Sequence, residues 1–232
     1  MLKLITYPAA FGAPSASPFG VKAMCFLKMA GAEWEMGRSS DPRKAPKAKL
    51  PVLIDGDVKI PDSEDIRSFL EQKYSVDFDE GLSAEQRAVS RAIIRMCDEH
   101  LYFALVCDRW LNDANWGVLR EEFFGMIPKL VRGFVTNKIR QQVRMSMHAQ
   151  GMGRHSVAER LARADMDIRA ITALVGDKPF LFGEAPTAAD ASAAPVLAAM
   201  AGSPTETLLS KRLNADAPLM AYLGRVQGAL YP

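Results

Sequence analysis

The chain has 232 residues, a formal net charge of +2 and 49% apolar residues. That length suits one large domain or two small ones, with enough apolar surface for a core that needs no covalent staples. The near-neutral charge gives no reason to expect nucleic acid as a partner, and no apolar run reaches the roughly 18 residues needed to span a bilayer. Cys25, Cys97 and Cys107 are sparse and odd in number, which argues against a disulfide framework and fits a reducing compartment. The start, Met1-Leu2-Lys3-Leu4-Ile5, is too short and too soon interrupted for a signal peptide, so cytoplasm is the expected location.

Residues 2–7 partly alternate and are β-prone, predicting a strand. Pro8 to Ser17 is rich in Pro, Ala, Gly and Ser and reads as a long loop. Ser17-Pro18 has the form of a helix start, with Ser17 as N-cap and Pro18 at the first helical position. Val21, Met24, Cys25 and Met29 follow at helical spacing up to Gly31. Trp34 and Met36 alternate with Glu33 and Glu35, predicting a short strand, and 37–48 is predicted loop. Residues 51–54 and 58–60 flank Asp55-Gly56-Asp57, a hairpin signal in which Gly56 accepts the positive φ of a tight turn. From Ser63, Ile66, Phe69, Leu70 and Tyr74 recur at helical spacing. The order β-α-β, loop, β-β-α is thioredoxin-like.

An acidic stretch, 75–82, leads into a half of the chain almost without strand signals. Val89, Ile93, Met96, Cys97, Leu101 and Ala104 predict one long helix. A second is predicted from about Val118 to Ala149, bent near Pro128 or Gly133. Gly151-Met152-Gly153 breaks it, Ser156 and Glu159 form a capping box, and an apolar stripe runs from Val157 to Leu174. Shorter helices are expected near 188–201, 205–213 and 216–229. The expected organisation is a thioredoxin-like domain at 1–76, a linker at 77–83 and an all-helical domain at 84–232.

Three stretches together resemble the glutathione S-transferase superfamily: Ser17-Pro18-Phe19-Gly20-Val21-Lys22, Lys49-Leu50-Pro51-Val52-Leu53 and Pro61-Asp62-Ser63. A fourth, Gly183 to Asp190, is similar to the superfamily's N-capping box, with Thr187 capping a buried helix and Asp190 returning the bond. Within the superfamily, the Pro/Ala/Ser loop before Ser17 and the segment Gly151-Met152-Gly153-Arg154-His155-Ser156 resemble the failed-axon-connections and metaxin-like branch. The resemblance implies glutathione as cosubstrate, a small apolar electrophile as its partner and a homodimer. It also leaves a second reading, a non-catalytic binding or scaffold protein.

The resemblance makes Pro51 a cis proline, which turns the Leu50 backbone outward to pair with the cysteinyl unit of glutathione. Val52 would help hold the peptide. Asp62-Ser63 at a helix N-terminus suits the γ-glutamyl end: Ser63 for the carboxylate, Asp62 for the ammonium. Lys49 is a candidate for a further carboxylate contact. Ser17 is the candidate for stabilising the thiolate, which takes roughly 2.7 kcal/mol for a two-unit drop in pKa. The same hydroxyl has an alternative use as a cap for its own helix. Tyr7 and Ser15 are the rival hydroxyls. Ser17 and Gly20 stand where a thiol–disulfide enzyme would want cysteine, which disfavours redox chemistry. Cys25, Cys97 and Cys107 fit buried helix positions, and His100, His148 and His155 show no ligand spacing, so no metal is expected.

Between 129 and 163, eight Lys and Arg face the single acid Glu159. A solvated face is the plain reading, with attraction of anionic ligands or contact with a membrane surface as alternatives. Phe103, Trp110, Trp116, Phe123 and Phe124 are candidates for an acceptor pocket, though such a density of rings also suits a core.

Overall fold

The computed structural model describes residues 1–39, 41–125 and 127–232. Strand β1 (Leu2–Thr6) is followed by α1 (Pro18–Met29), β2 (Trp34–Arg38), β3 (Val52–Asp55), β4 (Val58–Pro61) and α2 (Ser63–Tyr74). The sheet order is β2-β1-β3-β4. β1 runs parallel to β2, as a crossover through α1 requires, and antiparallel to β3. β3 and β4 form a hairpin closed at Gly56, whose φ of +59° suits a residue without a Cβ. β1 ends one residue before Tyr7, and a short 3-10 turn, Pro42–Lys44, interrupts the predicted loop.

The acidic stretch after α2 is no loose tether. Phe78 is buried and stacks on Phe26 of α1, with ring centroids 5.3 Å apart. Asp79 is buried as well, accepting from the Arg67 Nη2 at 2.9 Å and the Ser90 hydroxyl at 3.2 Å.

The helical half opens with α3 (Ala84–Met96), which passes through a π-helical turn (Cys97–Leu101) into α4 (Tyr102–Trp110). The long helix expected from Val118 to Ala149 is instead two helices, α5 (Asp113–Phe124) and α6 (Lys129–Gln150). Pro128 breaks the chain rather than bending it: its fixed φ and missing N–H suit the position just before the first turn of α6. α7 (Val157–Val175) starts on the Ser156–Glu159 box. Then come α8 (Ala188–Ala201), α9 (Leu208–Asn214) and α10 (Ala217–Leu230).

α8 is almost wholly buried, and its run of alanines lets α1, α3 and α10 approach closely. Asp190, fully buried at its start, accepts from the Leu181 and Thr187 N–H groups at 2.9 and 2.8 Å, and from the Thr187 and Tyr222 hydroxyls, each at 2.9 Å. Four donors on one carboxylate hold it in an interior that would otherwise reject its charge.

Candidate functional site

The C-terminal end of β1 lies beside the start of β3, with Ile5 opposite Val52. Just before β3 the Leu50–Pro51 peptide is cis. Neither the N–H nor the C=O of Leu50 bonds another group among the described residues. The Pro51 carbonyl is used, accepting from the Asp62 N–H at 3.3 Å, so the proline is tied directly to the start of α2. Val52 lies inside the sheet between Ile5 and Pro61 with its side chain buried. Lys49 is exposed.

At the start of α2, Asp62 takes φ +74°, unusual for a residue with a side chain. Its Oδ1 accepts from the Glu64 N–H at 2.9 Å and so caps the helix. Ser63 is 3% exposed, yet its hydroxyl makes no hydrogen bond among the described residues. An idle hydroxyl at a helix N-terminus, beside free N–H groups and the positive end of the dipole, is suited to a carboxylate.

The three hydroxyls near the start of α1 have different surroundings. Ser15, 2% exposed, sits 3.0 Å from the Thr6 hydroxyl and accepts from the Ser17 N–H at 3.2 Å. It is a structural link from β1 to the helix start. Ser17 stands at the N-cap position with extended backbone, and its carbonyl accepts from Gly20 and Val21. Its side chain makes no capping bond. The Tyr7 phenol is half-buried, and burial followed by the nearby Asp41 pushes its pKa up, so it stays protonated. Gly20 lies under this group: a Cβ there would sit 2.7 Å from Ser15 Oγ and closer still to Thr6 Oγ1.

Sequence reasoning assigned no role to two buried cations here. The Arg109 guanidinium, on α4, donates to the Ala16 carbonyl and to the Ala199 carbonyl of α8, each at 3.1 Å, and lies 5.1 Å from the Phe11 ring centre. It pins the β1–α1 loop to the helical half. Burial lowers its pKa to about 10, which leaves it charged at neutral pH. Lys22 on α1 is 1% exposed and pairs with Glu64 and Asp98, each at 2.8 Å. The signal in the sequence was a charged residue inside an otherwise apolar helical stripe.

A cleft of about 350 Å³ opens beside the loop, lined by Phe11, Ala13, Ser15 and Pro18 on one side and by residues of α8 and α10 on the other. Its walls are mainly apolar. Phe103, Trp110, Trp116, Phe123 and Phe124 do not line it. Phe123 meets Phe11 edge-on at 5.5 Å, so its neighbourhood reaches the same loop, while Trp116 is buried against Trp110. Cys25, Cys97 and Cys107 are buried and unbridged, and burial raises all three thiol pKa values. Among the described residues no group of three or more His, Cys, Asp or Glu is placed to hold a metal ion, and no helix is long and apolar enough to cross a membrane.

A thioredoxin-like sheet joined to a helical domain, with a cis proline tied to the N-terminus of α2, is a glutathione S-transferase fold. Comparison with known proteins agrees. The glutathione S-transferase N-terminal domain family matches residues 18–115 and the C-terminal domain family matches 154–225. Isoprene-epoxide–glutathione S-transferase of Rhodococcus sp. (strain AD45) is 32% identical over 98% of both chains. Failed axon connections of Drosophila melanogaster is 30% identical over 79% of this chain, which spans 46% of that protein's length. Mouse metaxin-1 is 24% identical over 82% of this chain, which spans 62% of it. Among solved structures, a glutathione transferase family member from Pseudomonas fluorescens with two glutathione bound superposes with a TM-score of 0.61, at 14% identity, covering 100% of this chain and 93% of that one. A glutathione S-transferase from Rhodospirillum rubrum gives 0.62 at 17% identity, covering 98% and 88%. The protein belongs to the glutathione S-transferase superfamily, with relatives in its failed-axon-connections and metaxin branch.

Proposed function

We propose that the protein conjugates glutathione to a small apolar electrophile. The single observation that carries this is the pair of hydroxyls, Ser17 and Ser63, at two helix N-termini, neither bonded among the described residues, together with a Leu50 backbone that also makes no bond among them. In this reading residues 1–76 hold glutathione. Leu50 pairs with its cysteinyl backbone, Ser63 takes the γ-glutamyl carboxylate, and Asp62 faces the ammonium. Lys49 lies at the glycyl side, and Val52 supports Leu50 from within the sheet. Ser17 donates to the thiolate, with the N-terminus of α1 adding positive potential. Ser15 and Tyr7 are set aside, Ser15 because its hydroxyl is already used and Tyr7 because its phenol makes no hydrogen bond among the described residues.

The apolar cleft beside Phe11 and Pro18 is the candidate berth for the electrophile. An epoxide is the acceptor class favoured by the Rhodococcus relative, because similarity to it runs the full length of both chains. The thiolate sulfur would form a C–S bond as a ring C–O bond breaks, and the alkoxide would take up a proton. A homodimer in the cytoplasm belongs to the same reading, and sedimentation analysis tests its size.

The test begins with titration calorimetry of reduced glutathione. Wild-type binding that weakens about tenfold in Ser63→Ala, roughly 1.4 kcal/mol, supports the reading. Absence of heat at millimolar glutathione overturns it. The rival is a non-catalytic glutathione S-transferase-fold protein, favoured by the Failed axon connections and metaxin-1 relatives. It gains if glutathione binds but no epoxide is opened above the uncatalysed rate.

A further inference from the structure

Lys22 is the most deeply buried cation near the site, and its pairing is costly. Its Nζ lies 2.8 Å from Asp98 Oδ2 on the π-helical turn and 2.8 Å from Glu64 Oε1 on the first turn of α2. Arg91 of α3 reaches the other Glu64 oxygen at 2.5 Å. The cluster is not fully satisfied: among the described residues Asp98 Oδ1 is buried without a hydrogen-bond partner, and Glu64 Oε1 has only the ionic contact with Lys22. Buried ion clusters of this kind seldom exceed the stability of apolar residues of equal volume, because desolvation offsets the Coulomb gain. What such a cluster does supply is a defined position.

The positions it defines are specific. Glu64 follows Ser63, and Lys22 lies five residues after Ser17. The Lys22–Glu64 contact therefore sets the distance between the helix ends that carry the two idle hydroxyls. Asp98 fixes that assembly against the helical half. A π-helical turn, with its extra residue, changes which side chains face inward, and here it aims Asp98 at Lys22.

We infer that Lys22 is a positioning residue of the glutathione site, acting through Glu64 and Asp98 to hold the N-terminus of α2 at a fixed spacing from the N-terminus of α1. The inference rests on the glutathione reading above. A peptide held at its thiol end by α1 and at its glutamyl end by α2 makes both contacts at full strength only when that spacing matches its length, so its affinity is sensitive to the spacing.

Glu64→Gln tests this, because positioning and bare electrostatics predict opposite signs. Glutathione carries a net negative charge, so removing a nearby carboxylate should tighten its binding by Coulomb's law alone. Loss of the tether should weaken it. The expected result is a glutathione Kd about tenfold higher in Glu64→Gln, with KM for glutathione raised likewise and kcat at saturating glutathione within about twofold of wild type. The neutralised variant Lys22→Met/Glu64→Gln/Asp98→Asn keeps the volume without the charges. It should fold with a melting temperature near the wild-type value and show the same loss of affinity. Unchanged or tighter binding in a folded Glu64→Gln or triple variant overturns the inference while leaving glutathione binding in place. Absence of binding in the wild type overturns the glutathione reading itself.

Discussion

Replacing Ser17 by alanine separates chemistry from capping. Its hydroxyl makes no capping bond to its own helix, so Ser17→Ala leaves no buried donor unpaired and should change stability by no more than about 0.5 kcal/mol. The thiolate of bound glutathione would lose one hydrogen bond to a charged acceptor, worth about 1.5–3 kcal/mol. One pKa unit corresponds to about 1.4 kcal/mol, so the thiol pKa should rise by about one to two units. At a pH below the wild-type thiol pKa, kcat/KM should fall by roughly ten- to hundredfold. Thiolate ultraviolet absorbance of the glutathione complex across pH gives the first quantity, and initial rates of conjugation give the second. Ser15→Ala is the control. Its hydroxyl links Thr6 to the Ser17 N–H, so its loss should lower stability by about 1–2 kcal/mol and leave the thiol pKa in place. A Ser17→Ala protein with wild-type rate and thiol pKa refutes the assignment, and so does a Ser15→Ala protein that alone loses thiol activation.

Gly20→Ala should destabilise by about 1–3 kcal/mol through overpacking, because the new methyl meets the Thr6–Ser15 pair; a denaturation midpoint equal to wild type would contradict this. Asp190→Ala strands four buried donors and should cost about 3–5 kcal/mol, read from urea unfolding, with a loss under about 1 kcal/mol incompatible with the observed network. The thiols should resist a disulfide reagent at mildly alkaline pH in the native protein and all three should react once it is unfolded, so rapid labelling of the native state would contradict their burial. Asp165 of α7 pairs with Arg212 of α9 and with Arg169. Partial burial pushes its pKa up, but Arg212 and then Arg169 together hold it below the usual carboxylate range. A depressed folded-state pKa gives stability that is present above the unfolded value of about 3.9 and lost as pH falls through the folded value. Melting temperatures of wild type and Asp165→Asn should therefore differ at neutral pH and converge below about pH 4.

Much of this protein is legible in one dimension. Strands and helices with a single buried face show their period directly, and the caps at Ser156 and Asp62 and the turn at Gly56 depend on residue types whose backbone preferences are local. For the same reason the order of elements, and with it the superfamily, follows from the sequence. Local pattern also set the limits. A continuous helical period carries through 118–149, and only the placement of α6 shows that Pro128 ends one packing direction and starts another. Phe78 and Asp79 lie in a stretch whose composition reads as linker, and their burial comes from groups at Phe26 and Ala188, far away in sequence, and from Ser90 in the next helix.

The site divides in the same way. Ser17, Pro51, Asp62 and Ser63 are candidates that motifs alone name, because each sits at an element boundary that local chemistry marks. Motifs do not choose between Ser15 and Ser17, because both are serines in one loop. Only tertiary structure gives them different surroundings: Thr6 is close enough to occupy the Ser15 hydroxyl, and the Ser17 hydroxyl makes no bond among the described residues. Lys22 and Arg109 read in sequence only as charges misplaced in apolar stripes. Their partners, Asp98 and the Ala16 and Ala199 carbonyls, lie 76, 93 and 90 residues away. A buried charge is stable only where distant groups converge on it, and that convergence is a property of the folded chain rather than of any segment of it.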